Sequence, residues 1–158
     1  MEIRPLADAD VEAVLDLNER SVEAVSPLDS SKLATYRTMA AESLVVEVDG
    51  EIAAFAIAYR PGSEYESENY RWHAERFADF FYLDRIVVGS DYRRRGIATA
   101  LYDAMEERAR VHGRMVCEVN SDPPNVESLA FHRRRGYVDI GELAKPDGHR
   151  VVMLEKPL

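Results

Sequence analysis

The sequence has little of what defines several classes of protein. It contains a single cysteine, Cys117, so no disulfide can form within the chain, and its cysteines and histidines show no metal-ligand spacing. No apolar run is long enough to cross a membrane, and the N-terminus lacks an apolar secretory core. We therefore expect a cytoplasmic protein without a metal site, with Cys117 as a small buried strand residue.

Positive charge is also scarce. The chain has 20 Lys and Arg against 29 Asp and Glu, a formal net charge of −9. This balance argues against nucleic acid as a partner, because binding to phosphate backbones needs a basic surface. Two basic triplets, Arg93–Arg95 and Arg133–Arg135, are local exceptions. A mobile anionic ligand and ordinary solvated charge explain each triplet equally well.

What is present suits one globular domain spanning residues 1–158. The chain is 46% hydrophobic, which suffices for a packed core, and it shows no internal repeat, low-complexity tract or linker. Strands are expected at 1–4, 44–48, 52–59, 79–88, 115–119, 138–141 and 150–154, and helices at 9–22, 31–41, 96–112 and 125–135. Residues 61–76 break the pattern. The order predicts an α/β fold, with a mixed sheet and helices on both faces.

A glycine-containing turn joins the strand that ends near Val88 to the helix that begins at Gly96. Gly96 and Ala98 are small, so a ligand can approach the backbone closely there. The first amides of a helix lack intrahelical partners and carry partial positive charge, which suits a pyrophosphate. The dinucleotide-binding Gly-x-Gly-x-x-Gly pattern and the P-loop pattern are both absent.

Arg93-x-x-Gly96-x-Ala98 resembles the Arg/Gln-x-x-Gly-x-Gly/Ala signature of GNAT acetyltransferases. The segment Asn125–Tyr137 is similar to that family's later Asn-x-x-Ala-x-x-Leu-Tyr-x-x-x-Gly-Phe motif, with Asn125, Ser128, Gly136 and Tyr137 at the matching spacings. The resemblance implies a GNAT-type, mostly antiparallel sheet whose central parallel strands splay apart.

The resemblance also implies acetyl-CoA as co-substrate. The loop amides would bind its pyrophosphate, and the exposed backbone of the preceding strand would pair with its pantetheine arm. The expected cofactor-binding residues are Ile86, Val87, Val88, Arg93, Arg94, Arg95, Gly96, Ile97, Ala98, Thr99, Asn125, Ser128 and His132.

The sequence offers more than one candidate for each catalytic role. His132 stands where many family members carry the tyrosine that protonates the CoA thiolate, and a protonated imidazole could serve instead of it, as could water. Glu118 lies within a short apolar strand, on the face opposite Cys117, and is the first candidate for the general base. Asp84 competes for this role from the preceding strand, on the same face as Tyr82 and Ile86, and water is the third alternative.

The residues that determine the identity of the acceptor are expected in the variable parts of the chain. Tyr65, Tyr70 and Trp72 lie in a long polar stretch that could form a pocket wall or could simply anchor a loop, and Tyr82 joins them as a substrate candidate. Aromatic and acidic side chains suit a small amine with an apolar part.

The predicted reaction is acetyl transfer to a primary amine of a small molecule or peptide, by direct attack in a ternary complex. Two alternatives stay open: a non-catalytic module that binds or senses acyl-CoA, and a nucleotide-binding protein that uses the same loop. A homodimer is expected only by analogy with the superfamily.

Overall fold

The computed structural model describes residues 1–22 and 24–158. This described part of the chain has seven strands: β1 (Glu2–Pro5), β2 (Glu42–Val48), β3 (Glu51–Tyr59), β4 (Phe81–Val88), β5 (Arg114–Asp122), β6 (Val138–Ala144) and β7 (Arg150–Pro157). The α-helices of the described residues are α1 (Val11–Glu19), α2 (Ser30–Met39), α3 (Glu68–Ala74), α4 (Ile97–Ala109) and α5 (Val126–Arg134). The predicted element order is confirmed, with α3 as an addition.

The strands form one mixed sheet in the order β1-β2-β3-β4-β5-β7-β6. Every neighbouring pair is antiparallel except β4 and β5, which are parallel. Their ladder holds only the pairs Phe81–Met115 and Tyr82–Val116, although both strands continue well beyond it. The two central strands therefore part toward their carboxyl ends, as the resemblance implied.

Helices cover both faces of the sheet, as predicted. On one face, Leu101 and Met105 of α4 are fully buried against the sheet. On the other face, Val14 of α1 and Leu33 of α2 are fully buried in a second cluster. Each cluster excludes apolar side chains from water, which is the main stabilising contribution to the fold.

Helix α3 lies in a stretch, residues 61–76, that shows no helical pattern in the sequence. Its cap is Ser67, whose hydroxyl accepts a hydrogen bond from the Tyr70 amide at 3.2 Å. Its buried residues are Tyr70 and His73. Two polar-tipped rings do not form an apolar stripe, so the sequence predicted no helix in this segment.

A β-bulge interrupts β4 at Asp84. Ile57 pairs with Arg85 and its neighbour Ala58 pairs with Leu83, so Asp84 has no partner across the β3–β4 ladder. The extra residue reverses the alternation beyond it. Asp84 still faces the Tyr82 hydroxyl, but Ile86 packs with the α4 cluster on the opposite face. The prediction that Asp84, Tyr82 and Ile86 share one face was therefore wrong for Ile86.

Candidate active site

A cavity of about 840 Å³ occupies the gap between the parting strands. Its lining includes Leu83, Asp84, Arg85 and Ile86 of β4, Cys117, Glu118, Val119 and Asn120 of β5, Tyr102 of α4, and Asn125, Ser128 and His132 at and within α5. The segment 24–26 and the β6–β7 loop form other parts of its wall. The cavity thus brings together residues that the sequence predicted from four separate segments.

The loop between β4 and α4 has the backbone of an anion cradle. Gly96 is the N-cap of α4 in the left-handed region, with φ 76°, and provides no side-chain cap for the first amides. The Ala100 amide is the one that donates back to the Gly96 carbonyl, at 3.0 Å, so Ile97, Ala98 and Thr99 stand in the unpaired first turn. A Cβ at Gly96 would meet nothing within 4 Å. These features fit a pyrophosphate.

The two arginine triplets have different surroundings. Arg93, Arg94 and Arg95 are exposed beside this cradle, in reach of a mobile anion. In the second triplet, Arg133 pairs with Asp139 at 3.1 Å, and Arg135 pairs with acidic side chains of α4. The first triplet suits ligand attraction, whereas these contacts of the second stabilise the packing of α5.

A pair of carboxyls linked by a phenol lies in the cavity wall. The Tyr82 hydroxyl lies 2.7 Å from Glu118 Oε1 and 3.2 Å from Asp84 Oδ1. Tyr65 donates its hydroxyl to Asp84 Oδ2 at 2.9 Å, and Asn69 donates its amide to Glu118 Oε1 at 2.9 Å. Glu118 Oε2 is buried without a partner among the described residues. Such an atom costs about 1–3 kcal/mol unless a ligand or water satisfies it.

Burial governs the ionisation of this pair. Loss of hydration, followed by the nearby charge of Asp84, raises the pKa of Glu118 to about 8. Burial also raises the pKa of Asp84, although the Arg85 guanidinium opposes the shift. A carboxyl that releases its proton near neutral pH is suited to act as a general base.

His132 is neutral in this arrangement. Its Nδ1 lies 2.7 Å from the Ser128 carbonyl, which can only accept, so Nδ1 carries the hydrogen. Its Nε2 then accepts the Tyr102 hydroxyl at 2.5 Å. Burial lowers the pKa of His132, which keeps the ring unprotonated. The expected imidazolium donor to a thiolate is therefore not the form that these contacts favour.

Tyr102 is a cavity residue that the sequence reasoning missed. It is 2% exposed, and its ring packs edge-on to Phe131 and Tyr137. Its position, four residues after Ala98, places it one turn along α4 from the predicted phosphate loop. That spacing could have identified Tyr102 as a cavity residue. It was overlooked because a tyrosine at this position also fits the buried apolar face of α4.

The substrate candidates separate into three groups. Tyr65 lines the cavity, and Tyr82 is fully buried behind it with its hydroxyl on the carboxyl pair. Tyr70 donates its hydroxyl to the Arg60 carbonyl at 2.8 Å and is buried outside the cavity wall. Trp72 packs on Gly141, where any Cβ would overlap its ring. Tyr70 and Trp72 thus pack the 61–76 segment onto the fold and are not part of the cavity lining.

Arg85 and Cys117 complete the polar lining. Arg85 is 5% exposed and donates to the Asn18 side chain at 2.8 Å and to the Ser26 carbonyl at 2.9 Å. It therefore fastens one rim of the cavity to the sheet. Cys117 is buried as predicted, and burial raises the pKa of its thiol, so it stays an unreactive thiol at neutral pH.

Within residues 1–22 and 24–158, no cluster of three or more His, Cys, Asp or Glu side chains could hold a metal ion. No helix in the same described part of the chain is long and apolar enough to cross a membrane.

Comparison with known proteins places this geometry in context. The model of the family described as "Acetyltransferase (GNAT) family" matches residues 11–137. A comparison with curated proteins gives no significant match.

Solved structures share the whole fold at low sequence identity. Ard1 from Thermoplasma volcanium is 20% identical with a TM-score of 0.79, over 99% of this chain and 97% of that one. A ribosomal-protein-alanine N-acetyltransferase from Brucella melitensis is 22% identical with a TM-score of 0.76, over 100% of both chains. The putative acetyltransferase yncA from Salmonella typhimurium, solved with acetyl-CoA, is 17% identical with a TM-score of 0.74, over 99% and 93%.

Proposed function

Because the chain belongs to the acetyltransferase (GNAT) family, we propose that it transfers the acetyl group of acetyl-CoA to a primary amine of a small molecule or peptide, by direct attack in a ternary complex. The observation that carries this proposal is the gap between β4 and β5. Its wall holds a buried carboxyl pair, and the strand β4 that borders it leads into the glycine-capped start of α4.

Backbone groups on one side of the gap suit the cofactor. The amides of Ile97, Ala98 and Thr99 would hold the pyrophosphate, with the exposed Arg93–Arg95 side chains adding attraction. Beyond Tyr82, β4 has no β5 partner, so its backbone is open to pair with an extended pantetheine arm. When bound there, acetyl-CoA supplies the thioester that the amine attacks.

Backbone groups also prepare the reacting carbonyl. The main-chain amides near Val87 and Val88 would donate to the thioester oxygen, where negative charge develops. Asn125 caps α5 by accepting from the Ser128 amide at 3.2 Å, which fixes the helix end that lines the same gap.

Proton transfer is assigned to two sites. Glu118 accepts the proton that the acceptor amine must lose, because its carboxyl is buried in the cavity and one oxygen has no partner. On the thiolate side, two hydroxyls of the cavity wall lie beside His132: Tyr102, at 2.5 Å from Nε2, and Ser128, at 3.4 Å from Nδ1. We assign thiolate protonation to Tyr102: its O–H turns from His132 Nε2 to the thiolate, the S–H bond forms as the O–H bond breaks, and solvent returns a proton to the phenolate.

The acceptor remains a broad class. The name of one similar structure, a ribosomal-protein-alanine N-acetyltransferase, supports peptide amines among the acceptors. The rim of the cavity between segment 24–26 and the β6–β7 loop is polar, with Lys145, Asp147 and His149 on the loop side. Such a rim suits either a peptide backbone or a small polar amine.

A non-catalytic acyl-CoA-binding module is the second candidate. The observation that favours it is the state of His132. Its ring is neutral and hydrogen-bonded at both nitrogens, so it offers no proton to a leaving thiolate. Under this alternative the gap binds the cofactor, but amines do not accelerate thiol release.

Thiol release from acetyl-CoA with a panel of alkylamines, amino acids and peptides tests the proposal. We expect amine-dependent release that falls at least tenfold in Glu118→Gln, consistent with removal of a general base, with little change in CoA affinity. The control is Glu127→Gln, on the exposed side of α5. Tight CoA binding without release for any amine would favour the binding module instead.

A further inference from the structure

We infer that Asp84, Tyr82 and Glu118 share one proton, and that this unit selects an acceptor that arrives as an alkylammonium ion. The inference rests on the proposed acetyl transfer and names the acceptor's chemical class. It gives Asp84 a role beside Glu118 rather than in competition with it.

The Tyr82 hydroxyl contacts two carboxyls at once. That hydroxyl has one hydrogen, yet it lies within hydrogen-bond distance of both Glu118 Oε1 and Asp84 Oδ1. If Tyr82 donates to Glu118, its oxygen can bond Asp84 only when Asp84 carries a proton, and the converse holds for Glu118. Both contacts are hydrogen bonds only if the two carboxyls together hold at least one proton.

The surroundings favour a single proton on the pair. The Asp84 side chain is 9% exposed, and Glu118 Oε2 is buried, so two adjacent negative charges would have little hydration. The nearest cation is Arg85, whose Nε lies 3.8 Å from Asp84 Oδ2. One positive charge beside two carboxyls leaves room for one shared proton.

The other groups around the pair do not replace that proton. The Lys145 ammonium is engaged by Glu68 at 3.1 Å and by the Asn69 side chain at 2.9 Å. His73 of α3 lies behind Tyr82, and burial lowers its pKa to about 4, so it is neutral. The phenols of Tyr65 and Tyr82 and the Cys117 thiol have raised pKa values and stay protonated.

The unpartnered Glu118 Oε2 identifies the ligand chemistry. An ammonium group has three N–H donors and a positive charge, which matches an orphaned acceptor beside an anionic pair. The neighbouring wall includes Tyr36 and Tyr65, whose rings meet edge-on at 5.2 Å, and Val25. These surfaces suit the hydrocarbon next to the amine, so the preferred acceptor is a cationic alkylamine with an apolar substituent.

The proton balance follows from this arrangement. When the ammonium binds, its charge displaces the shared proton to solvent. An N–H bond of the ammonium then breaks, its proton passes to Glu118, and the electron pair stays on nitrogen as the nucleophile. The pair again holds one proton, and one proton has been released overall. The pH at which the amine becomes reactive is therefore set by the protein and not by the amine.

Carboxyl NMR of protein labelled with ¹³C at the glutamate side chains tests the shared proton directly. The Glu118 resonance, assigned by its loss in Glu118→Gln, should titrate well above the ordinary glutamate range. In Asp84→Asn its midpoint should fall by about one pH unit, because the like charge is gone. Addition of 2-phenylethylamine should also lower the wild-type midpoint. The control variant is Asp139→Asn, an exposed aspartate that pairs with Arg133 outside the cavity, which should leave the midpoint unchanged.

Kinetics with two alkylamines of different basicity, 2-phenylethylamine and glycinamide, test the ammonium part. The acid limbs of kcat/KM should share one midpoint and shift together in Asp84→Asn. Midpoints that follow each amine's own pKa, or an ordinary Glu118 titration, would overturn the inference while leaving acetyl transfer intact. Absence of thiol release with every amine would instead refute the proposed function, and the NMR titration would still decide whether the proton is shared.

Discussion

Glu118→Gln should remove a large part of the pH dependence of folding stability above pH 5. The folded pKa of Glu118 is about 8, against an ordinary value of 4.5. A folded pKa raised in this way means that the folded state holds the proton more tightly than the unfolded state. The stabilisation is fully present below pH 4.5, and it is lost as the pH rises toward 8.

The size of the effect follows from the pKa difference. At 1.36 kcal/mol per pKa unit, the whole shift corresponds to about 5 kcal/mol, of which about 4 kcal/mol falls between pH 5 and pH 9. Water entering the cavity screens the charge, so we expect wild type to lose about 2–4 kcal/mol more than Glu118→Gln over this range.

Urea denaturation of both proteins at pH 5, 7 and 9 measures this difference. The comparison between variants is necessary because other groups contribute. His73, whose pKa is lowered by burial, acts with the opposite sign and increases stability as the pH rises toward 6.5. Glu127→Gln, an exposed glutamate, should follow wild type. Parallel stability curves for wild type and Glu118→Gln would refute the reasoning, since Glu118 would then ionise normally.

Three further predictions concern other parts of the site. Gly96→Trp should abolish CoA binding, measured by calorimetry, because the indole fills the phosphate cradle. The control Gly62→Trp, at a similar φ of 81° and with equally open surroundings, should bind normally. Equal affinities of the two variants would place the cofactor elsewhere. Tyr102→Phe should slow amine-dependent thiol release by about 10²-fold without weakening CoA binding; an unchanged rate would assign thiolate protonation to water. Trp72→Ala should lower the free energy of unfolding by about 2 kcal/mol and leave the acceptor KM unchanged, and a raised KM would return Trp72 to the pocket.

The fold was largely readable from local patterns. The glycine turn at Gly96 and the predicted order of short strands and helices each depend on residues close together in sequence, so they can be predicted without tertiary context. Helix α3 was not predicted from the sequence because its stability comes from the burial of Tyr70 and His73. A helix formed by such packing leaves no periodic signal.

The sequence by itself determined which chemical groups are available: a glycine turn predicted to bind phosphates, two carboxyls on neighbouring strands, and a histidine where a tyrosine is common. Only the tertiary structure decided how they act. The bulge at Asp84 and the parting of β4 from β5 bring Glu118 and Asp84 to one phenol, and burial then couples their protons. The pairing of His132 with Tyr102 likewise depends on two helices packing together. Distances across strands and the loss of hydration arise only on folding, so residue spacing could propose these roles but could not assign them.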